Sequence, residues 1–397
     1  MGEMKITMGP QHPALKEPES FDLILDGERI VDAEVKVGYN HRGIEKACEN
    51  RSYVQSIYLT ERVCGICSHS HSTAYVQAVE EIAGVELPLR AQYIRGIIGE
   101  LERLHSHLLW LGVAAHEVGF DTLFMYSWRD RELVMDILAV ISGNRVNYGI
   151  NSIGGVRRDI TPEQTTQIYQ ILDKLVERTE FYQKVVLGEP TFKGRLAGVG
   201  KLSKADAEKF GAVGPMARGS AVARDTRVND PYGVYQQVKV NLITDEHCDV
   251  LGRAIVRVRE LLESYRLIRE MLQNLPEGPL AVKVPRKIPA GEALSRYEAP
   301  RGENIHYVRS NGTEMPERVK IRAATLGNIP AVRQMLRGGY LADFPIIIAA
   351  MDPCFSCTDR SIQLIRGKRA EIVEWGRLRQ YSIQWYRERG IDLSVLH

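Results

Sequence analysis

The sequence has few cysteines, no excess of charge of either sign and no long hydrophobic run. Lysine plus arginine total 52 and aspartate plus glutamate total 50, which gives a net charge of +2. Because nucleic-acid-binding proteins usually carry a strongly basic face, this balance disfavours DNA or RNA as the main ligand. Even the most continuous apolar stretches, such as 344–351, are far shorter than the roughly 18 residues of a membrane span. The N-terminus shows no basic segment followed by an apolar run, so we expect a cytoplasmic protein.

Six cysteines in 397 residues are too few for a disulfide scaffold. Four of them form two Cys-x-x-Cys pairs: Cys64 with Cys67, and Cys354 with Cys357. This spacing is typical of metal or redox chemistry. The other two, Cys48 and Cys248, are isolated, and we interpret them as small apolar residues without a function.

Hydrophobic periodicity predicts a mainly helical chain that begins with a small sheet. Residues 21–37 form two alternating runs joined by Asp26-Gly27, a dipeptide typical of a tight hairpin turn. Apolar residues spaced three and four apart predict helices over 94–111, 133–141, from Thr161 onward, and over 245–273. At Thr161 a first-turn proline and Gln164 complete a capping box. The fold class is therefore predicted to be α+β, mainly α with a smaller β element.

The chain shows no internal repeat and no polar linker, so we expect one large body with four regions. Five prolines and three glycines between Pro276 and Glu303 predict irregular structure there, and a last helix is predicted after Pro330. Residues 1–50 form an N-terminal β-hairpin region, and 51–280 form a helical bundle with the first cysteine pair. Residues 281–360 form an irregular region with a short strand at 319–324, the Pro-Arg-Gly loop and the second cysteine pair. Residues 361–397 form a C-terminal tail.

The distance between the two cysteine pairs limits what they bind. A zinc ribbon places its second pair roughly 15 to 20 residues after its first, whereas here 286 residues separate Cys67 from Cys354. Four thiolates brought together favour a soft cation, and nickel and iron suit them as well as zinc does. A long-range structural zinc site and two unrelated redox or core pairs are the alternatives.

With their flanks, the two pairs resemble the motifs of the large subunit of NiFe hydrogenases. The matching segments are Arg62-x-Cys64-x-x-Cys67-x-x-x-His71 and Asp352-Pro353-Cys354-x-x-Cys357-x-x-Arg360. The closing arginine resembles the energy-converting, membrane-bound enzymes of group 4. Segments 9–13, 154–159 and 230–232 also resemble the related quinone-site 49 kDa-type subunit of respiratory complex I, which lacks the four cysteines. The resemblance covers nearly the whole chain and implies a large-subunit-like helical bundle.

The resemblance implies a Ni-Fe centre whose iron carries carbon monoxide and cyanide. Cys64 and Cys354 would bind nickel terminally, and Cys67 and Cys357 would bridge nickel to iron. The terminal thiolate of Cys354 would accept a proton during heterolytic H2 chemistry and is our first catalytic candidate. The resemblance also allows for a magnesium or iron ion near the C-terminus.

Two further catalytic candidates follow from the resemblance. Arg301, in a Pro-Arg-Gly sequence, would lie over the metals, orient H2 and donate hydrogen bonds to cyanide; the alternative is a surface arginine in a loop. Glu17 matches the position of a glutamate that relays protons to the terminal cysteine; the alternative is an exposed glutamate in a polar stretch.

The remaining candidates are expected to surround the centre. Arg62, His71, Pro300 and Asp352 are assigned to cofactor binding, with His71 donating to a bridging sulfur or ordering its loop. His69 is expected to be exposed. His105 and His107 lie along the long predicted helix and are interpreted as structural residues outside the site.

The expected function is that of a catalytic subunit that reduces protons to H2, or oxidises H2 reversibly. The chain carries no ferredoxin-type cluster motif, so the resemblance implies an iron–sulfur small subunit that receives electrons from ferredoxin. It also implies antiporter-like, complex I-like membrane subunits that couple the reaction to ion translocation, and a peripheral place on the cytoplasmic side of the membrane. In many members of the family a maturation endopeptidase cuts after the last motif, which here would remove 361–397; the alternatives are an unprocessed chain and a relative that is not cut. The alternatives are a complex I-like or sulfur-reducing oxidoreductase subunit and a zinc-stabilised non-catalytic subunit.

Overall fold

The computed structural model describes residues 3–367, 369–373 and 375–391. About 51% of the chain is helical and 14% is strand, which confirms the predicted α+β class. The strands are β1 (Met4–Met8), β2 (Ser20–Asp26), β3 (Arg29–Lys36), β4 (Asn151–Ser152), β5 (Gly155–Val156), β6 (Gly291–Ala299), β7 (Gly302–Ser310), β8 (Arg318–Arg322), β9 (Ile362–Arg366) and β10 (Arg369–Val373). The helices are α1 (Ile44–Cys48), α2 (Tyr53–Glu61), α3 (Ser68–Ala83), α4 (Leu89–Glu117), α5 (Asp121–Ser142), α6 (Pro162–Gly188), α7 (Pro190–Leu196), α8 (Lys204–Lys209), α9 (Pro215–Arg218), α10 (Thr226–Asn229), α11 (Val250–Gln273), α12 (Ala324–Leu336), α13 (Phe344–Met351) and α14 (Trp375–Arg387).

The bundle is built around α4, which packs against α5, α11 and α13. Its predicted apolar stripe is buried along its whole length, because residues three and four apart share one face of a helix. Helix α6 begins at Pro162 with the predicted capping box between Thr161 and Gln164. Helix α11 begins five residues later than predicted, since the Asp249 side chain accepts a hydrogen bond from the amide of Gly252 and caps it there.

The predicted N-terminal hairpin is confirmed, and it forms an antiparallel sheet in the order β1-β2-β3. Asp26 pairs with Arg29, so the turn between β2 and β3 consists of Gly27 and Glu28. Gly27 has a φ of 60°, a conformation that glycine adopts without steric cost. The sheet packs against the bundle through α12, which contacts β3.

Two local predictions between 276 and 336 are wrong. The stretch Pro276 to Glu303 is irregular only in its first part, because four of its five prolines precede β6 and leave that strand free of proline. Strand β6 pairs with β7, and β7 pairs with β8, which confirms the short strand predicted at 319–324. The last long helix of the bundle, α12, begins at Ala324 rather than after Pro330 and contains that proline. Asn328 explains the early start, since its amide exchanges two hydrogen bonds with the backbone of Val213.

Three elements converge at one end of the bundle: the start of α3, the turn between β6 and β7, and the end of α13. Helix α3 packs against both β6 and β7, and α13 packs against α4, α11 and α12. In the part of the chain that the structure describes, no helix combines the length and apolarity that a bilayer crossing needs. The convergence places the cysteine motifs, which lie before α3 and after α13, beside the β6–β7 turn.

The backbone of the β6–β7 turn packs closely against Gly214, so a larger residue at this position is expected to lower the stability of the fold. Gly214 has a φ of 65°, and a Cβ atom there would lie 2.4 Å from the carbonyl oxygen of Arg301. Gly211 has almost the same φ, 64°, but nothing lies within 4 Å of its Cβ position. Gly211→Ala should therefore cost about 1 kcal/mol from backbone strain alone. Gly214→Ala should cost about 3 kcal/mol, because overpacking adds to the strain of a backbone (φ 65°, ψ −148°) that only glycine adopts readily.

Denaturant unfolding of the two variants at one pH measures both costs. A Gly214→Ala variant as stable as Gly211→Ala would show that the turn does not depend on this close approach.

Candidate metal centre

All four cysteines of the two motifs meet in one buried cluster. Cys64 and Cys67 lie between α2 and α3, and Cys354 and Cys357 follow α13. The Sγ atom of Cys354 lies 2.8 Å from that of Cys357 and 3.3 Å from that of Cys64. These distances exceed the ~2.05 Å of a disulfide bond, and all four cysteines are free. The structure thus gathers four soft donors from distant parts of the chain.

The thiols of the cluster differ in acidity. Hydrogen bonds from neighbouring thiols, led by that of Cys354, hold the pKa of Cys64 well below its usual value. Backbone amides of Ile66 and Cys67 also donate to the Cys64 sulfur, at 3.2 and 3.3 Å. Burial raises the pKa of Cys357 well above its usual value. Cys64 is therefore the thiol that ionises first.

A buried glutamate of α4 holds the start of α3. The Glu102 carboxylate accepts hydrogen bonds from the backbone amides of His69 (2.7 Å) and Ser70 (3.0 Å) and from the Ser70 hydroxyl. These amides belong to the first turn of the helix, where backbone N–H groups lack helical partners. Because Cys67 immediately precedes α3, Glu102 fixes the direction in which the first motif enters the helix.

Two hydrogen bonds, one to α12 and one within the motif, hold the second motif in place. The Cys354 amide donates to Thr325 Oγ1 of α12 at 3.0 Å, and the Thr358 hydroxyl donates to the Cys354 carbonyl at 2.9 Å. Asp352, the residue directly after α13, has a φ of 57°, in the left-handed region. This sharp change of direction turns the chain from the helix into the cluster.

Arg301 occupies the β6–β7 turn together with Pro300, and both are buried. Its Nε donates to the Asp352 carbonyl at 2.7 Å and its Nη2 to Asp352 Oδ1 at 2.8 Å. Among the described residues its Nη1 has no hydrogen-bond partner. Burial alone would lower the pKa of Arg301, but the Asp352 carboxylate and the cysteine sulfurs raise it well above its usual value. A permanent cation therefore faces the cluster with one donor group free.

A small cavity lies between the guanidinium and the thiols. Its volume is about 10 Å³ for the centre of a water-sized sphere, so the space is about as large as one water molecule. Its lining comprises Cys67, His71, Ala299, Arg301, Asn304, Ala323, Ala324, Thr325, Cys354 and Cys357. Three of the four thiols, together with Arg301 and His71, therefore line this cavity.

His71 lies on the first turn of α3 beside the cluster. One ring nitrogen of His71 and the sulfurs of Cys67 and Cys357 lie within 4.8 Å of one another. Its Nδ1 lies 3.0 Å from Nε2 of His306 and 3.3 Å from the Asn304 amide nitrogen. Burial lowers the pKa of His71 to about 4, so the ring is neutral at pH 7. A neutral imidazole can bind a metal or donate to a sulfur.

Glu17 reaches the second motif from the segment between β1 and β2. Its carboxylate accepts hydrogen bonds from the Ser356 amide (2.9 Å) and the Ser356 hydroxyl (2.6 Å). Ser356 lies between Cys354 and Cys357. Glu17 is half-buried, so its carboxyl group lies between the cluster loop and solvent.

Arg62 is not brought to the cluster, unlike the other assigned residues. Its side chain is exposed and donates to the Tyr58 carbonyl at 3.0 Å. Arg42, which the sequence did not single out, instead joins the two motifs: it donates to the carbonyls of Arg62 (2.7 Å), Val63 (2.8 Å) and Ser356 (3.0 Å). No local pattern marks this arginine, because its role arises only when the motifs meet.

The histidines near the first motif are buried. The expectation that His69 is exposed is wrong, since its ring packs inside the bundle and its Nε2 lies 2.9 Å from the Arg95 carbonyl. The error arose because the sequence did not show which face of α3 meets α4. His107 Nε2 lies 2.8 Å from Glu260, away from the thiols, in agreement with a structural role.

The residues fit a soft metal centre. Thiolate sulfurs suit nickel, iron and zinc, and a metal ion can contact several sulfurs at these distances. The free Nη1 of Arg301 offers a donor to a hydrogen-bond acceptor inside the cavity, which a ligand on such a metal could supply. Arg301 also offsets the negative charge that four thiolates carry.

Sequence and structure comparisons agree on the family. Residues 117–289 and 282–360 match the family described as "Respiratory-chain NADH dehydrogenase, 49 Kd subunit", and residues 42–112 match "Nickel-dependent hydrogenase". Membrane-bound hydrogenase subunit alpha of Pyrococcus furiosus is 45% identical over 94% of this chain and 91% of that protein. Carbon monoxide-induced hydrogenase of Rhodospirillum rubrum is 42% identical over 91% of this chain and 100% of that protein.

A solved structure of the membrane-bound sulfane sulfur reductase, an archaeal respiratory membrane complex, contains a similar chain. That chain is 33% identical, with a TM-score of 0.86, over 90% of this chain and 98% of its own length. The chain belongs to the family of hydrogenase large subunits and complex I 49 kDa subunits. Relatives in this family are subunits of membrane complexes, which supports partner subunits for this chain and an oxidoreductase activity.

Because Glu102 is buried, the free energy of unfolding of this protein is expected to depend on pH. Burial is the main cause that raises the pKa of Glu102 from 4.5 to about 8. Between pH 4.5 and about 8 the Glu102 carboxyl group keeps its proton in the folded state and has lost it in the unfolded state. The stability that Glu102 contributes is therefore complete below about pH 4.5 and is lost as pH rises through about 8. Glu102→Gln should flatten the fall of stability with pH by up to about 1.4 kcal/mol per pH unit.

Denaturant unfolding of the full chain without metal, at pH 5 to 8.5, measures this slope. The exposed Glu177→Gln serves as control and should keep the wild-type slope. An unchanged slope in Glu102→Gln would assign the pH dependence to other groups.

Proposed function

We propose that this chain is the catalytic subunit of a membrane-associated NiFe hydrogenase, which reduces protons to H2 or oxidises H2 reversibly. The observation that carries the proposal is the buried cluster of Cys64, Cys67, Cys354 and Cys357 beneath Arg301. Hydrogenases among the most similar relatives support it. The complex I subunits that the chain also resembles lack these cysteines.

Each thiol has a proposed place at the Ni-Fe centre. Cys64 and Cys354 would hold nickel, and Cys67 and Cys357 would be ligands of both nickel and iron, with carbon monoxide and cyanide completing the iron site. Such a centre supplies electron transfer and H2 activation when bound. The low pKa of Cys64 suits a thiolate ligand, and Cys354 accepts the proton in H2 cleavage.

Arg301 provides a fixed positive charge and a directed donor. Its two bonds to Asp352 use Nε and Nη2 and leave Nη1, among the described residues, without a partner in a side chain that lines the cavity. A guanidinium held in this way stabilises negative charge at the centre without reorganising during the reaction. Asp352 therefore acts by orienting Arg301, and Pro300 acts by restricting the turn that carries it.

Glu17 is the proposed proton relay between the cluster and solvent. The reduction of protons requires their delivery to a buried site, and a positioned carboxyl group performs such transfers. Glu17 is hydrogen-bonded within the loop that holds Cys354 and Cys357, and its half-buried position leaves a path to water. Protons would pass between Glu17 and the Cys354 thiol.

The proposed assembly follows from the family. An iron–sulfur small subunit brings electrons from ferredoxin, and antiporter-like membrane subunits couple the reaction to ion translocation. The chain lies peripherally on the cytoplasmic side of the membrane. A maturation endopeptidase removes 361–397 once the metals are inserted.

Sulfur reduction is the second candidate function. The observation that favours it is the similarity to a chain of the sulfane sulfur reductase, with a TM-score of 0.86. The same fold can therefore accompany a different electron acceptor. The four clustered thiols, which a Ni-Fe centre requires, favour the hydrogenase.

Metal analysis and infrared spectroscopy of the purified native complex test the proposal. Nickel and iron are expected, together with carbonyl and cyanide bands between the protein and water absorptions, and H2 should be evolved with reduced ferredoxin. Zinc alone, or no such bands, would contradict the hydrogenase. Sulfide production from sulfur compounds without H2 would establish the second candidate.

The matched variants Cys357→Ser and Cys248→Ser extend this test. Cys357→Ser should lose nickel, the infrared bands and at least about 100-fold in H2 evolution, because a serine hydroxyl is a poor ligand for soft metals. Cys248, isolated and outside the cluster, should be replaceable without loss. Retained activity in Cys357→Ser would remove that residue from the bridging role.

Glu17→Gln tests the relay, because glutamine keeps the shape of the side chain but carries no transferable proton. H2 evolution should fall about 100-fold, and the carbonyl and cyanide bands should stay at their wild-type positions. Glu17→Asp should restore part of the rate. Glu28→Gln, at the exposed hairpin turn, is the control. A fully active Glu17→Gln enzyme would show that protons use another route.

A further inference from the structure

The last turn of α13 is held by side chains from the two central helices. Its carbonyls at Ala349 and Ala350 lie just before Asp352 and Cys354. The Trp110 indole of α4 donates to the Ala349 carbonyl at 2.6 Å, and Nη2 of Arg257 on α11 donates to the Ala350 carbonyl at 2.9 Å. The Ala349 carbonyl also accepts from the Asp352 amide at 2.8 Å, so Trp110 adds a second donor there. The Ala350 carbonyl is one of the last of the helix, which lack helical partners, and Arg257 supplies its donor.

The two donors also hold each other. The guanidinium carbon of Arg257 lies 4.1 Å from the centre of the Trp110 ring, which is a cation–π contact, and both side chains are 1% exposed. Burial lowers the pKa of Arg257 to about 10, which leaves it positively charged at pH 7. Its charge therefore lies at the negative end of α13, where a cation is stabilising.

The end of α13 determines the positions of two parts of the metal centre. Asp352 follows directly, and its carbonyl and carboxylate hold Arg301. Cys354 is two residues further on. A shift of this helix end would therefore move a metal ligand and, through Asp352, the guanidinium above the cavity.

We propose that Arg257 is a positioning residue for the metal centre, and that with Trp110 it forms a clamp on the end of α13. The clamp fixes the end of α13 relative to α4 and α11, and thereby fixes the positions of Cys354 and Arg301. It touches neither the thiols nor the cavity, and it acts only through the backbone of α13 and through Asp352.

Arg253 provides a matched control, one turn earlier on the same helix. It is also fully buried, but its Nη1 donates to the carbonyl of Gly200, which lies beside Ile347 in the middle of α13 and not at the end of that helix. Arg253→Met and Arg257→Met thus each remove a buried cation from α11, and only the second removes a bond to the end of α13. A difference between them reports positioning rather than burial of charge.

Amide hydrogen exchange of the full chain without metal is the first test. In Arg257→Met, amides of 350–358 should exchange at least tenfold faster than in Arg253→Met. Trp110→Phe, which keeps an aromatic ring but loses the indole donor, should give an intermediate increase, and Arg257→Lys should restore part of the protection. If Arg257→Met does not fold, the comparison of Trp110→Phe with Arg253→Met tests the proposal instead. Equal exchange of this segment in Arg253→Met and in the clamp variants would overturn the proposal.

Infrared spectra of the assembled complex are the second test, and this readout rests on the proposed hydrogenase function. Arg257→Met should shift or broaden the carbonyl and cyanide bands and lower H2 evolution by about 10- to 100-fold. Arg253→Met should keep the wild-type band positions. Wild-type bands in Arg257→Met would overturn the clamp. A wild-type complex without such bands would refute the hydrogenase function instead, and the exchange experiment would then decide the clamp alone.

Discussion

The structure depends on gathering four buried thiols, whose ionised forms repel one another, at one point of the fold. Burying several negative charges is costly unless positive charge and hydrogen-bond donors surround them. Arg301 supplies the charge from the β6–β7 turn, and backbone amides around Cys64 supply donors. Arg42 then ties the two cysteine loops together through three carbonyl groups. The cluster therefore requires the β6–β7 turn, α3 and α13 to be placed together.

A network of buried charges inside the bundle places the β6–β7 turn. Arg103 of α4 donates to the Glu298 carbonyl, and the Glu298 carboxylate accepts from Arg218 and from Thr226. Arg218 also pairs with Glu260 of α11 at 2.7 Å. Removing one member of such a network leaves a buried charge without a partner, which is strongly destabilising. The network thus links the hairpin that carries Arg301 to both central helices.

Local signals predicted the elements that are stable for local reasons. The capping box at Thr161 and the hairpin at 21–37 are encoded within a few residues, and both are confirmed. Strand β6 was not predicted because its pairing with β7 stabilises it. The start of α12 was predicted too late because Asn328 is held by hydrogen bonds to the backbone of Val213, which is distant in sequence. At the centre, flanking motifs marked the cysteines and Glu17, which the structure brings together. The supporting roles of Arg42, Glu102 and Arg257 exist only in the folded chain, so no sequence pattern shows them.

This division between scaffold and loops explains how one fold can carry different chemistry. The positions of Cys67, Arg301 and Cys354 are set by α3, by the hairpin and by α13, and each element is held by buried groups outside the cavity: Glu102, Arg103 and Arg257. The four cysteines belong to a smaller hydrophobic core beside α3 and the β6–β8 sheet, and not to the main core of the bundle. Replacing them would empty the centre of metal ligands and leave its three supports in place. The side chains in the loops can therefore change while the elements that carry them keep their places.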